Sequence, residues 1–414
     1  MSNSESQRIL FENTKCSRPS IFSAAVFLII TFTVLQKICI PGVSNSLSIG
    51  TVVVPLVVVL YLINGALYVD LRTFVLFSAF LVVGIISVYI NLSSEQVSIA
   101  SMALVLAVQA PLLFRPAGLD RISRRIFDAY RDIMFYISIG AIISFVLQFF
   151  IGSQYAFFMD FQVPSFLIMK GFTNINTLSY GSTTLKSNGI FFLEPSFFGQ
   201  YLAIAAILEI LTRQRMLRIA VFAAALLCSF SGTGIVTLGL FGTYVLIKRG
   251  NTAIFVGICL IIIIIYILGE SIGIEAITGR THEFATPGSS GHLRFVTPFQ
   301  LLDRYAFTNI STILFGRGPG AFANYTGTLE FGATDATWMK LILEYGFIGF
   351  FTYYAFLAAA ISNIKNPLVF PLLFVYSFLG GYLTNSPVVT TLLVLLVWSR
   401  GIDYGELSLK IGEK

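Results

Sequence analysis

The stretch "TFVLFSAFLVVGIISVYI", residues 73–90, carries no charged side chain. As a helix it rises about 27 Å at 1.5 Å per residue, close to the roughly 30 Å hydrocarbon core of a bilayer. It therefore reads as a transmembrane helix, and it is one of about a dozen such runs. They begin near residues 21, 48, 72, 97, 131, 190, 216, 233, 252, 334, 368 and 387. The run entered through Pro195 is short, and another pair is split at Ser231-Gly232. Of the 414 residues, 56% are hydrophobic and 11% charged, and the mean hydropathy is +0.85. Soluble domains carry about 25% charged residues, so a water-soluble fold could not hide this much apolar surface. The expected fold class is an all-α polytopic integral membrane protein, a single membrane domain over residues 1–414 with about 12 transmembrane helices.

Basic residues in short loops stay on the cytoplasmic side. With a cytoplasmic N-terminus, alternate loops gather most of them, among them Arg72, Arg115, Arg124, Arg125, Arg131, Arg213, Arg215, Arg218 and Arg400. The opposite face keeps Lys37, Lys170, Lys186, Arg280, Arg294, Arg304, Arg317 and Lys340, mostly in two long loops. Both termini are expected in the cytoplasm. The first apolar run lacks a small-residue cleavage site and continues into "QKICIPG", which reads as a retained signal anchor. The net charge of +6 is then a matter of topology and calls for no nucleic acid. Cys16, Cys39, Cys228 and Cys259 are scattered, without the spacing of a metal or disulfide framework.

Two non-cytoplasmic segments, about 152–188 and about 270–334, are longer than the 12–15 residues beyond which loops usually carry function. The first is rich in Phe, Asn, Ser and Thr and suits an interfacial element on the lid of the bundle. In the second, "HLRFVTPFQLLDRYA" spaces its apolar residues as one short amphipathic helix flanked by Arg294 and Arg304. "FGRGPGAF" then forms a turn with Arg317 between glycines.

Several of these residues can carry chemistry. In "LKSNGIFFLEPSFFGQYLAI", Lys186 and Glu194 bracket the start of a helix whose Pro195 suits a first turn. Glu194 either caps that helix or stands in a water-filled cavity as a general base. Arg294, Arg280, Arg317 and Lys186 are candidate anion binders, since guanidinium donors match phosphate oxygens. Asp335 lies near the start of another span, and Lys340 and Glu344, four residues apart, are placed to pair with each other. His282 and His292 lack zinc spacing, and no P-loop, GxGxxG or paired-Asp signature is present. The sequons at Asn91, Asn309 and Asn324 are too short a pattern to carry weight.

The many-span layout, the "NGIFFLEPSFFGQYLA" stretch and the order "HLRFVTPFQLL…FGRGPGAF…DATWMKLILEYGFIGFF" together resemble the O-antigen polymerase and O-antigen ligase superfamily of bacterial envelope proteins. The likeness covers roughly residues 186–350. It implies a metal-independent, GT-C-like glycosyltransferase with no cofactor, acting on undecaprenyl-diphosphate-linked glycans at the periplasmic face of the bacterial inner membrane. The family arginine of the large periplasmic loop falls on Arg294, and its acidic segment on Gly189, Phe191, Glu194, Pro195 and Ser196. The basic residue that commonly precedes that segment is Arg in many members and is matched here by Lys186. On this reading Arg294, helped by Arg280, Arg317 or Lys186, clamps the lipid diphosphate, and Glu194 or Asp335 orients or deprotonates the acceptor sugar. Donor and acceptor are both lipid-linked, and a chain-length regulator is a possible protein partner. Ligases usually show a His where this chain has "ATDATWMK", which favours the polymerase branch. A ligase, and a transporter of lipid-linked oligosaccharide, remain open alternatives; the charges clustered at one face and the lack of two similar halves count against the transporter.

Overall fold

The computed structural model describes residues 20–40, 44–92, 97–117, 122–178, 182–248, 285–330, 332–361 and 366–399. Of these described residues, 69% are helical and 4% are in strands. Among the described residues, four helices are long and apolar enough to cross a membrane: α3 (Leu71–Ile90), α5 (Ile122–Ile151), α6 (Pro195–Thr212) and α13 (Thr337–Ile361). Shorter apolar helices accompany them. They are α1 (Ile21–Thr33), α2 (Gly50–Ile63), α4 (Ile99–Gln109), α7 (Met216–Ser229), α8 (Gly232–Thr237, continued by a π-turn to Gly242), α14 (Val369–Phe378) and α15 (Ser386–Leu392). The apolar run expected near 252 lies outside the described residues.

Burial shows which helix is central. In the most apolar window of α6, 89% of residues are buried inside the protein, against 28% in α3 and 33% in α5. The outer helices turn Leu60, Leu71, Val75, Phe149 and Phe150 outward. A contiguous apolar exterior of this kind is a liability in water and suits lipid. α6 is packed by α5, α7 and α8, while α13 runs along α3.

Local chemistry sets the helix ends. Asp70 caps α3 by accepting the Thr73 N–H at 2.9 Å, and Asn385 caps α15 by accepting that of Val388 at 3.2 Å. α7 ends at Phe230 in the left-handed region (φ 46°), and Ser231 starts α8 by accepting the Gly234 N–H at 3.2 Å. The run split at Ser231-Gly232 is thus two helices joined by a tight corner.

The all-α expectation needs one amendment, because two small antiparallel ribbons are present among the described residues. One pairs Cys39–Ile40 with Ser44–Ser48, and the other pairs Leu67–Val69 with Phe114–Pro116. The second ribbon sets Arg115 beside Asp70, with which it forms an ion pair, and Arg115 also donates to the Ala359 carbonyl at 2.7 Å.

α13 is broken in the middle. Gly346 has φ 67° and ψ −174° inside it, so the helix cannot satisfy its own carbonyls there. The "GRGPG" turn supplies the donors: Arg317 N–H reaches Leu343 O at 2.8 Å and Gly318 N–H reaches Glu344 O at 3.0 Å. Ser87 Oγ–H adds a bond to Glu344 O at 2.9 Å. A side chain at Gly316 or Gly346 would collide with the opposing backbone, and Gly316, Gly318 and Gly320 all have positive φ.

Residues 290–306 form three linked pieces where one amphipathic helix was expected: α9 (Ser290–Phe295), α10 (Thr297–Leu301) and a π-turn (Leu302–Ala306). The kink falls at Val296, where Pro298 has no N–H to continue the first helix. α11 (Ile310–Phe315) and α12 (Ala321–Thr326) complete this loop.

Candidate functional site

Glu194 occupies the N-cap position of α6 and Pro195 the first helical position, as the sequence suggests. The carboxylate does not cap its own helix. Oε1 accepts the Thr173 N–H at 3.1 Å and Oε2 accepts the Ser196 hydroxyl at 3.0 Å. The approach to Glu194 is tightly shaped. Gly189 and Ile190 both lie in the left-handed region (φ 67° and 68°), and a Cβ at Gly189 would come within 2.6 Å of the Phe198 ring. A β-branched residue held this way costs on the order of 1–3 kcal/mol and persists because its surroundings fix it.

A cavity of about 260 Å³ opens against this segment. Lys186 and Glu194 line it from one side, and Ser290, Gly291 and Arg294 of α9 from another. Asn176, Ser196, Ser231 and Thr233 add polar walls, while Val236, Phe295 and Leu379 give it an apolar flank. The N-terminal turns of α6 and α8 meet here, and such turns present unpaired N–H groups that favour anions. They can meet because α6 and α8 cross at glycines: a Cβ at Gly234 would stand 2.6 Å from the Gly199 carbonyl carbon. Small residues allow this backbone approach between membrane helices.

Three sequence-derived candidates, Lys186, Glu194 and Arg294, therefore share one cavity. Among the described residues, no acidic side chain forms an ion pair with Arg294. Asp335 is adjacent and does not line the cavity. The Thr334 N–H bonds to Leu293 O at 3.2 Å, next to Arg294, and the Asp335 carboxylate lies against Gly381. Tyr382 is within electrostatic reach of Arg294, Glu194 and Asp335; burial pushes its hydroxyl above the ordinary tyrosine value while Arg294 pulls it down. Arg317 stands apart. Its Nε donates to Tyr305 O at 2.8 Å and its Nη2 to Thr308 Oγ1 at 2.6 Å, so its guanidinium fastens the loop. Arg280 and His282 lie outside the described residues.

The expected Lys340–Glu344 pair is corrected. Lys340 Nζ turns back to Asp335 at 3.1 Å, and Glu344, fully buried, accepts the Phe322 N–H at 3.3 Å. The partners for both come from segments preceding the helix, which an i,i+4 rule does not consider. His292 Nδ1 lies 3.2 Å from Thr297 Oγ1. Among the described residues, no group of three His, Cys, Asp or Glu is placed to hold a metal ion.

The sequence did not single out Asn176, Thr233 or Tyr382 for this site. The break at Ser231-Gly232 was the one readable signal for the far wall. No family model matches the chain, and no curated protein matches it.

Proposed function

We propose that this protein is a membrane-embedded glycosyltransferase that polymerises lipid-linked oligosaccharide repeats, with the Lys186–Glu194–Arg294 cavity as its active site. The observation that carries the reading is the meeting of two cations and one carboxylate in a partly apolar cavity at the end of the most buried of the four long helices. On this reading the chain crosses the bacterial inner membrane about twelve times, in a GT-C-like arrangement, with both termini cytoplasmic and the cavity on the periplasmic side. In support, Arg125, Arg131, Arg213 and Arg218 gather around the starts of α1 and α5 and the far end of α6.

The chemistry asked of the site is displacement at an anomeric carbon. The acceptor hydroxyl oxygen forms the new C–O bond, the bond to the lipid diphosphate breaks, and the diphosphate leaves with the electron pair. Arg294 and Lys186 stabilise the charge that builds on the leaving group. Glu194 takes the hydroxyl proton; each of its oxygens accepts one hydrogen bond in the free protein, which leaves lone pairs for a sugar hydroxyl. The undecaprenyl-diphosphate donor and acceptor come from the family likeness.

The test is surface-glycan length, read as a gel ladder, in cells lacking this gene and restored with wild type or Arg294→Ala. Wild type restores the ladder and Arg294→Ala leaves single capped repeats. A full ladder from Arg294→Ala would refute the clamp. Long polymer stranded on its carrier in the deletion strain would mean a ligase, and unpolymerised units held on the cytoplasmic side would mean a transporter.

A further inference from the structure

Lys37 and Asp160 form a buried ion pair at 2.6 Å, with side-chain exposures of 0% and 2%. Neither belongs to the cavity. Removing two charges from water is costly unless the pair is fully hydrogen-bonded, and here every further bond leads toward Glu194. Lys37 Nζ also donates to the Ile190 carbonyl at 2.7 Å. Asp160 Oδ2 accepts from Asn188 Nδ2 at 2.9 Å, and Asn188 Oδ1 in turn accepts the Ile190 N–H at 3.0 Å. The neighbouring Gln36 accepts the Leu193 N–H at 3.0 Å. The Lys37 carbonyl accepts the Met169 N–H at 2.8 Å, fixing the loop whose Thr173 N–H bonds Glu194. The turn after α1 thus grips both segments that place the Glu194 carboxylate: the left-handed 189–190 approach and the 160–174 loop.

We infer that Lys37 and Asp160 are positioning residues for the Glu194 side of the cavity, a latch that holds residues 160–174 and 188–194 in register with each other. This rests on the proposed function only for its effect on catalysis. Burial pushes Lys37 down to about 8, with Asp160 pulling it back up. The latch cation is therefore lost as pH rises through about 8. The unfolded chain still binds that proton up to the ordinary value of 10.5, so this group raises global stability over the same window. Latch opening and unfolding consequently run in opposite directions with pH.

The experiment uses the purified full chain in detergent, as wild type, Lys37→Met and Asp160→Asn, with amide hydrogen exchange followed by mass spectrometry. The expected result is exchange about tenfold faster or more in residues 160–174 and 188–194, with α3, α5 and α6 protected as in wild type. Wild-type exchange in those two segments in either folded variant overturns the latch, and so does a uniform rise across the chain in Asp160→Asn. If Lys37→Met does not fold, the milder Asp160→Asn decides. In membrane vesicles, polymerisation should fall as pH rises through about 8 in wild type and hold in Lys37→Arg, whose guanidinium stays charged; an identical alkaline limb in both overturns the assignment of that limb to Lys37. Exchange is read without any glycan, so a full ladder from Arg294→Ala would refute the diphosphate clamp while leaving the latch standing.

Discussion

α6 carries a glutamate near each end, and the two live in opposite surroundings. Glu209 is fully buried against Arg131 at 2.8 Å. Arg131 also holds Asp128 at 2.6 Å, Asp128 holds Arg213 at 2.8 Å, and Arg218 pairs with Asp132. At that end each of these arginines has an acidic partner. At the other end, roughly 22 Å away along the helix axis by the 1.5 Å rise, Glu194 accepts two neutral hydrogen bonds and faces a cavity lined by two basic side chains. Ionisable groups in a membrane bundle either neutralise one another or mark a functional site. One helix shows both cases, so the charge balance at each end separates scaffold from site more sharply than residue type does.

The largest expected contrast is a crossover between the two glutamates. Glu194→Gln should lower polymerisation about 10²–10³-fold, in line with the loss of one key polar group in an active site, and leave the thermal unfolding midpoint in place. Glu209→Gln should do the reverse, costing about 1–3 kcal/mol by removing the buried carboxylate from Arg131 and leaving Asp128 alone to balance it, which thermal unfolding in detergent would show, with residual polymer from whatever protein folds. Equal effects of the two variants on both readouts would erase the distinction. A smaller effect is expected from Gly199→Ala, whose new methyl would collide with the Ser231 hydroxyl. Overpacking of this kind costs about 1–3 kcal/mol, and by forcing α6 and α8 apart at the cavity end it should shorten the glycan ladder as well. Smallest is Arg317→Ala, which should cost about 1–2 kcal/mol through the lost bonds to Tyr305 and Thr308 while polymer length is retained. A collapsed ladder there would move Arg317 from the scaffold into the site.

Much of the bundle could be read from the chain because an apolar run and its cap lie together in sequence. The runs expected near 21, 72, 216, 233 and 387 begin within a residue or two of helices observed at Ile21, Leu71, Met216, Gly232 and Ser386. The run expected near 131 begins instead at Ile122. Its first turns, "ISRRIFDAYRDI", are charged, so hydropathy misses them although the helix continues through them. The run near 190 is delayed to Pro195, because residues 189–194 are spent on the left-handed approach to Glu194. Lys186 and Glu194 are close in sequence and legible for that reason, whereas Arg294 was one of four candidate anion binders and was set apart from the others by the family likeness. Asn176, Thr233 and Tyr382 were silent: they reach the cavity region through the Gly199–Gly234 crossing and the packing of distant loops, which leave no periodic trace.

The break in α13 has a consequence for how the protein is made. Residues 316–320 leave the ribosome before residues 343–346, so the turn emerges with its Arg317 and Gly318 amides lacking their final acceptors. The later helix enters the bilayer with carbonyls that it cannot satisfy alone, a costly condition in hydrocarbon. Neither part is finished until the other arrives. The turn and the helix that follows it are therefore completed together, and a nascent chain released before Gly346 would leave that turn unanchored.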